Sequence, residues 1–280
     1  MPARSTMTDR KPETRVKPLH AYLITLKPPQ SAAVQAISNR LTSLGYRVVV
    51  VEGIRGAELT AQDFFRLTNP FRARTGKLMT PGELGCLMSH EKALRLAASV
   101  GQGRHLILED DFIASDTALN WIAQVQDQVT QGTLLHLGGQ EHMGRFYRYV
   151  RGEPITSLPE VANVYTEDLR YLMCTVAYMV DSRTATALAE LMAREPYLAD
   201  DFGHVFRQGA IKRIWFRWVV SHPTDATTST IAADRLLLNE TTKRHWSYRS
   251  RMNWARLWRR LVTRPALFLK NQQSTNQLPI

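Results

Sequence analysis

The residues best suited to do chemistry are three consecutive acids, Glu109, Asp110 and Asp111, which end the apolar run 105–108. Alternate side chains of an extended backbone share a face, so Glu109 and Asp111 are expected to point the same way. Neighbouring carboxylates repel, and the conflict is relieved by taking up a proton or by binding a cation. Mg²⁺ and Mn²⁺ favour oxygen ligands, bind through one or two carboxylates and complete their shells with phosphate oxygens. Glu109 and Asp111 are therefore candidate metal ligands facing an anionic group. They stand where open α/β sheets bind ligands, beyond the carboxyl end of a strand. The competing reading is a solvated turn ahead of a helix. His222, after an aromatic strand, is a third candidate ligand or simply the end of that strand. Lys92, on the helix before the acidic strand, could reach a phosphate or lie on a solvated face.

These groups need a frame. Residues 21–26 and 47–51 read as strands, and between them Val34, Ile37, Leu41 and Leu44 recur at helical spacing up to Gly45. Strand, helix and strand in this order predict a parallel α/β unit. At 80–83, Thr80 can cap a helix, Pro81 fits its first position and Glu83 completes a capping box. That helix is expected to run to about residue 98, and strand 105–108 follows it. Further helices are expected at 116–129 and up to 194 after a cap at Asp181 or Ser182. Strands are expected at 133–137, 172–180 and 211–220. Residues 53–79 and 144–168 show no clear period and read as irregular. Gly138-Gly139-Gln140 reads as a strand-end turn. The whole predicts an α/β fold with a mixed, mostly parallel central sheet over 19–234. A loose basic extension (1–18) precedes it and a tail (235–280) follows.

The chain of 280 residues carries a formal charge of +11, but unevenly. From Thr241 onward there are nine Lys or Arg residues and no acid, which leaves the body nearly balanced. An anionic partner is thus expected for the tail, and a nucleic-acid-binding body is not. Within the tail, Trp254, Leu257, Trp258 and Leu261 form an apolar stripe flanked by arginines, the composition of an interfacial helix on anionic lipid. Packing of that stripe on the domain is the competing reading. Cys86 and Cys174 cannot supply a disulfide framework or a four-ligand zinc site, and both read as small buried hydrophobes. The start, with Arg4, Asp9, Arg10, Lys11 and Glu13, lacks a signal-peptide core, and no run approaches the length of a membrane span. The expectation is a cytoplasmic protein, peripheral on the inner face of the cytoplasmic membrane.

The stretch TPGELGCLMSH at 80–90, followed by LILEDD at 106–111, resembles glycosyltransferase family 25, which includes lipopolysaccharide and lipooligosaccharide β-galactosyltransferases. Weaker likenesses in the same order are LITL at 23–26, VEG at 51–53, AYMV at 177–180, LADD at 198–201 and PTDATTSTI at 223–231. The resemblance implies a GT-A type fold and an inverting, metal-dependent transfer from a UDP-sugar to a glycan acceptor of lipopolysaccharide or lipooligosaccharide type. The transferred sugar would be a hexose, most simply galactose, and the cation Mn²⁺ or Mg²⁺.

By the same resemblance Thr25, Leu26, Gly53, Ser89, Lys92 and Asp110 fall on the donor side. His90 becomes a catalytic-site contact, although a lone helical histidine is often structural. Asp200 or Asp201 becomes the base for the acceptor hydroxyl, or else caps the segment at 202–207. The chain departs from the family at Thr25, where Asn is usual, and at Ala32, where Arg is usual; both lie near the nucleotide side. A metal-dependent phosphodiesterase or nuclease with a nucleic-acid-binding tail is the alternative. A non-catalytic membrane-binding module is a third reading.

Overall fold

The structure, a computed structural model, describes residues 18–140 and 150–223. All but the last residue of the expected extension at 1–18, the domain end near 234 and the tail at 235–280 lie outside the described residues.

Strand β1 (His20–Thr25), helix α1 (Ala32–Ser43) and strand β2 (Arg47–Glu52) form the expected parallel unit, with Thr25 opposite Glu52. Helix α3 (Pro81–Ser99) carries the expected capping box, Thr80 accepting from the Glu83 amide and the Glu83 carboxylate accepting from the Thr80 amide. It leads to β3 (Arg104–Glu109), parallel to β1, with Ile24 opposite Glu109. The carboxyl ends of β1, β2 and β3 therefore meet along one edge.

After helix α4 (Asp116–Val125) and strand β4 (Thr133–Gly138) come β5 (Gly152–Ile155), β6 (Leu158–Val164), β7 (Ala177–Asp181), α5 (Ser182–Arg194), α6 (Phe202–Arg207) and β8 (Arg213–Val220). The sheet order is β2-β1-β3-β7-β4-β8-β6-β5. It is mixed, as expected, but its parallel share is smaller than expected. β7 inserts antiparallel between β3 and β4, and β6 and β5 add antiparallel pairings at the far edge.

Both faces of the sheet are covered. Ala21, Leu23, Leu106 and Leu108 pack with α1 and α4, whereas Tyr22, Ile24 and Ile107 pack with α3 and α5. Burial on both faces explains why β1 and β3 read as continuous apolar runs.

Two stretches read as irregular are ordered. Residues 61–75 form α2 (Ala61–Thr75), capped by Thr60 and closed by Gly76 in the left-handed region at φ 68°. Its Pro70 and exposed arginines masked a helical spacing of Phe64, Leu67 and Phe71, which face Met79 and Leu84. Within 144–168, β5 and β6 pair as a hairpin, with Leu158, Val161, Ala162 and Val164 buried. The strand expected at 172–180 begins only at Ala177. Cys174, at φ 72°, turns the preceding segment out of strand geometry.

Candidate active site

Glu109 ends β3, and the Phe112 amide donates to its carbonyl, so Asp110 and Asp111 occupy a turn instead of extended backbone. The three acids consequently diverge. Asp110 faces β1, where the buried Thr25 hydroxyl donates to Oδ2 at 2.6 Å and Lys27 Nζ forms an ion pair at 3.0 Å. Glu109 faces α3 and β7. Its Oε1 accepts from the Thr175 hydroxyl at 2.6 Å and from His90 Nε2 at 3.2 Å. Desolvation opposes its ionisation, but His90, Thr175 and His222 outweigh that cost and hold its carboxyl below the ordinary value.

Asp111 behaves differently. Its carboxyl is pushed up to about 6, first by desolvation and then by the charge of Glu109. His222 acts in the opposite direction on Asp111. Glu109, Asp111 and His222 thus share one electrostatic neighbourhood even though the backbone turns between the two acids. An antiparallel bridge between Ile113 and Ser221 brings the end of β8 to the acidic turn and so places His222 there.

His90 is wholly buried, and both of its ring nitrogens are engaged. The geometry is satisfied when Nε2–H donates to Glu109 and Nδ1 accepts from the Tyr178 hydroxyl at 3.0 Å. Burial keeps that phenol protonated by raising its pKa well above the ordinary value. His90 therefore stands behind Glu109 and not at the solvent-facing surface. Ser89 is also buried: its hydroxyl donates to the Gly85 carbonyl at 2.6 Å and accepts from the Ile54 amide at 2.8 Å.

That contact belongs to a close seam. A Cβ on Gly85 would lie 2.5 Å from the Ile54 carbonyl oxygen, and one on Gly56 would lie 1.8 Å from the Pro81 carbonyl oxygen. Only glycines let α3 press against the 53–56 loop in this way. Gly53 donates to the Thr25 carbonyl at 2.7 Å, Leu26 is partly exposed, and Lys92 Nζ reaches the Glu52 carbonyl at 2.9 Å. Thr25, Leu26, Gly53, Ser89 and Lys92 all flank the ends of β1 and β2, beside the acidic turn.

Asp200 and Asp201 separate in role. Asp201 caps α6, its Oδ1 accepting from the His204 amide at 2.9 Å. Asp200 Oδ2 accepts from the Cys174 amide at 3.4 Å, next to Thr175.

Residues 19–203 match glycosyltransferase family 25, described as lipopolysaccharide biosynthesis protein. The chain belongs to this family. It is a glycosyltransferase, and membership implies a nucleotide-sugar donor and a glycan acceptor. A search of curated proteins gave no match. Among solved structures, a UDP-glucose pyrophosphorylase in complex with UDP-glucose is 12% identical, covering 79% of this chain and 99% of its own, at a TM-score of 0.46. A mannose-1-phosphate geranyltransferase from Thermus thermophilus is 14% identical, covering 74% and 75%, at 0.39. Likenesses this distant carry nothing about the site. Among the described residues of this family 25 glycosyltransferase, no helix is long and apolar enough to cross a membrane.

Sequence reasoning missed Lys27, Thr175 and Tyr178. Lys27 was legible as a cation two residues beyond a strand end. The other two are brought to the site only by β7 lying antiparallel to β3. Cys86 and Cys174, read as buried, are both partly exposed. Cys86 lies one helical turn before His90 and, with His90 and Glu109, makes a cluster of three metal-ligating groups.

Proposed function

We propose that this family 25 enzyme transfers a hexose, galactose in the simplest case, from a UDP-sugar to a lipopolysaccharide-type glycan acceptor with inversion. The reading rests on one observation: Glu109, at the carboxyl end of the parallel strands, interacts electrostatically with both Asp111 and His222. Two carboxylates and an imidazole are donors that suit a divalent cation of the Mn²⁺ or Mg²⁺ kind, and binding would draw Asp111 and His222 towards Glu109, because among the described residues the ligand atoms already within 4.8 Å of one another are those of Cys86, His90 and Glu109. Bound there, the cation would neutralise charge on the departing diphosphate.

The remaining steps fall to side chains of this chain. Glu109 is oriented by Thr175 and His90, so His90 acts as a positioning residue. Lys27 and Thr25 hold Asp110 beside the nucleotide side, and Gly53 lets Leu26, Thr25 and Ser89 pack closely there. Asp200, not committed to the α6 cap, is the candidate base. It would take the acceptor hydroxyl proton as that oxygen attacks the anomeric carbon, while the sugar–phosphate bond breaks and UDP leaves with its electron pair. The basic, aromatic composition beyond Thr241 supports a peripheral location on an anionic membrane surface.

The test is release of UDP from a panel of UDP-sugars with Mn²⁺, with and without acceptor. Glu109→Ala and Asp111→Ala should each abolish release while leaving the circular dichroism spectrum unchanged. Full activity after complete chelation, or in the double variant, refutes the assignment.

A further inference from the structure

We propose that Cys86, His90 and Glu109 form a second metal site, suited to a thiophilic ion such as Zn²⁺, whose occupation withdraws Glu109 from the catalytic cation. Helix α3 sets Cys86 and His90 four residues apart, on one face. One ligand atom from each of the three residues lies within 4.8 Å of the others, and His90 Nε2 is 3.2 Å from Glu109 Oε1. Zinc bonds nitrogen and oxygen at about 2.0–2.2 Å and sulfur at about 2.3 Å, so tetrahedral neighbours stand roughly 3.3–3.7 Å apart. The side chains are therefore close to ligating positions before any ion enters.

The partners of these groups point the same way. Zinc-bound histidine commonly passes its other ring N–H to an acceptor, and ligating carboxylates are themselves hydrogen-bonded. Here the Tyr178 oxygen is 3.0 Å from His90 Nδ1, and the Thr175 hydroxyl is 2.6 Å from Glu109 Oε1. Binding releases the Cys86 thiol proton to solvent. The imidazole gives up the Nε2 proton and carries one on Nδ1, donated to Tyr178. Three protein ligands leave a fourth position open, and the partly exposed Glu109 side chain gives the ion a way in.

A thiolate and an imidazole favour Zn²⁺ over Mn²⁺ or Mg²⁺, whereas two carboxylates and an imidazole suit the harder ions. Zinc bound at Oε1 would hold the Glu109 carboxylate towards α3 and neutralise the charge that attracts the catalytic cation, so the sites are antagonistic. The antagonism rests on reading Glu109 as a ligand of the catalytic cation; the binding of zinc does not.

Co²⁺ is the spectroscopic probe, used on the full chain. A thiolate-to-cobalt charge-transfer band with intense tetrahedral d–d bands should appear, and one equivalent of Zn²⁺ should displace them. Cys86→Ser should remove the charge-transfer band and weaken Zn²⁺ at least about 100-fold, and Cys174→Ser should leave both unchanged. A band that survives in Cys86→Ser, or vanishes only in Cys174→Ser, overturns the site. Zn²⁺ should also shield Cys86 but not Cys174 from alkylation in the wild-type chain; equal labelling with and without Zn²⁺ counts against the site without recourse to any variant.

In the transfer assay Zn²⁺ should inhibit the wild type, and added Mn²⁺ should relieve it. Cys86→Ser should keep its Mn²⁺-dependent activity and lose sensitivity to Zn²⁺. Equal inhibition of both proteins refutes the antagonism, while the cobalt spectra decide the site even if no transfer is detected.

Discussion

Gly85→Ala sets two opposing effects against each other. Alanine is the better helix former, worth about 1 kcal/mol over glycine within a helix. On helix propensity alone, a residue five positions into α3 should gain stability. The seam says otherwise. The new Cβ would stand 2.5 Å from the Ile54 carbonyl oxygen and 2.7 Å from the Gly56 amide nitrogen, against the 3.4 Å at which ordinary contact begins. Both opposing atoms are backbone, so the 54–56 loop must retreat by about 0.7–0.9 Å. Overpacking of this kind costs about 1–3 kcal/mol, which cancels or exceeds the propensity gain. The same retreat would stretch the 2.8 Å bond from the Ile54 amide to Ser89 and shift Gly53, at the proposed nucleotide side. A misplacement near 1 Å at a reacting centre can cost about 100-fold in rate. Urea unfolding should thus show a variant no more stable than wild type and up to about 2 kcal/mol less, with kcat/KM for UDP release down at least about tenfold. A variant that is more stable and fully active would refute the idea that this seam positions the site.

Thr175→Val keeps the shape but removes the 2.6 Å hydrogen bond to Glu109, a bond to a charged group worth about 1.5–3 kcal/mol. The expected result is a loss of roughly 10- to 100-fold in kcat/KM and a higher Mn²⁺ requirement, with a fall of several degrees in melting temperature. Asp168 is fully buried and holds Arg151 through the backbone amide, Nε and Nη2, so Asp168→Ala should cost about 3 kcal/mol. Thermal melting should then fall by roughly 6–12 °C, and a shift of less than a degree would show that the pair is not structural. Burial lowers His105 and His136 to about 4. The unfolded chain takes up these protons near pH 6.5, so it binds more protons than the folded state, and stability must fall as pH drops from about 6.5 towards 4. The slope is up to about 1.4 kcal/mol per pH unit for each histidine. Equal urea midpoints at pH 7 and pH 5 would contradict it.

What the sequence disclosed divides by the range of the forces involved. The capping box at Thr80 and Glu83, and the strand leading to Glu109, are local and were legible from spacing alone. Helix α2 was equally local, with Thr60 and Asp63 at its start, but Pro70 and the run of arginines weighed against it. The β5–β6 hairpin lies at the far edge of the sheet and carries exposed positions in both strands, so neither shows the apolar alternation that marks a strand. Nothing local announces the left-handed turn at Cys174. It is held from a distance by His136, Gln140 and Asp200, through contacts to Cys174 and Met173. Thr175 is aimed at Glu109 by that turn, and His222 reaches the acids only because Ser221 pairs with Ile113. Candidate acids could be named from the sequence; the groups that orient them depend on strand order.

The surroundings of the three acids also decide which of them is available to a cation. Asp110 is already compensated, since Lys27 lies 3.0 Å from its carboxylate and Thr25 donates to the same oxygen. A metal there would displace an existing charge pair and leave a lysine facing it. Glu109 is oriented by a hydroxyl and an imidazole, and among the described residues neither it nor Asp111 has a lysine or arginine ion pair. Asp111 rises to about 6, first through desolvation and then through the charge of Glu109. On the proposed reading the outer two of the three acids would take the cation, while the middle one is held by Thr25 and Lys27. A turn after β3 produces that division more cleanly than an extended run could, because it sends Asp110 to β1 and Glu109 to α3.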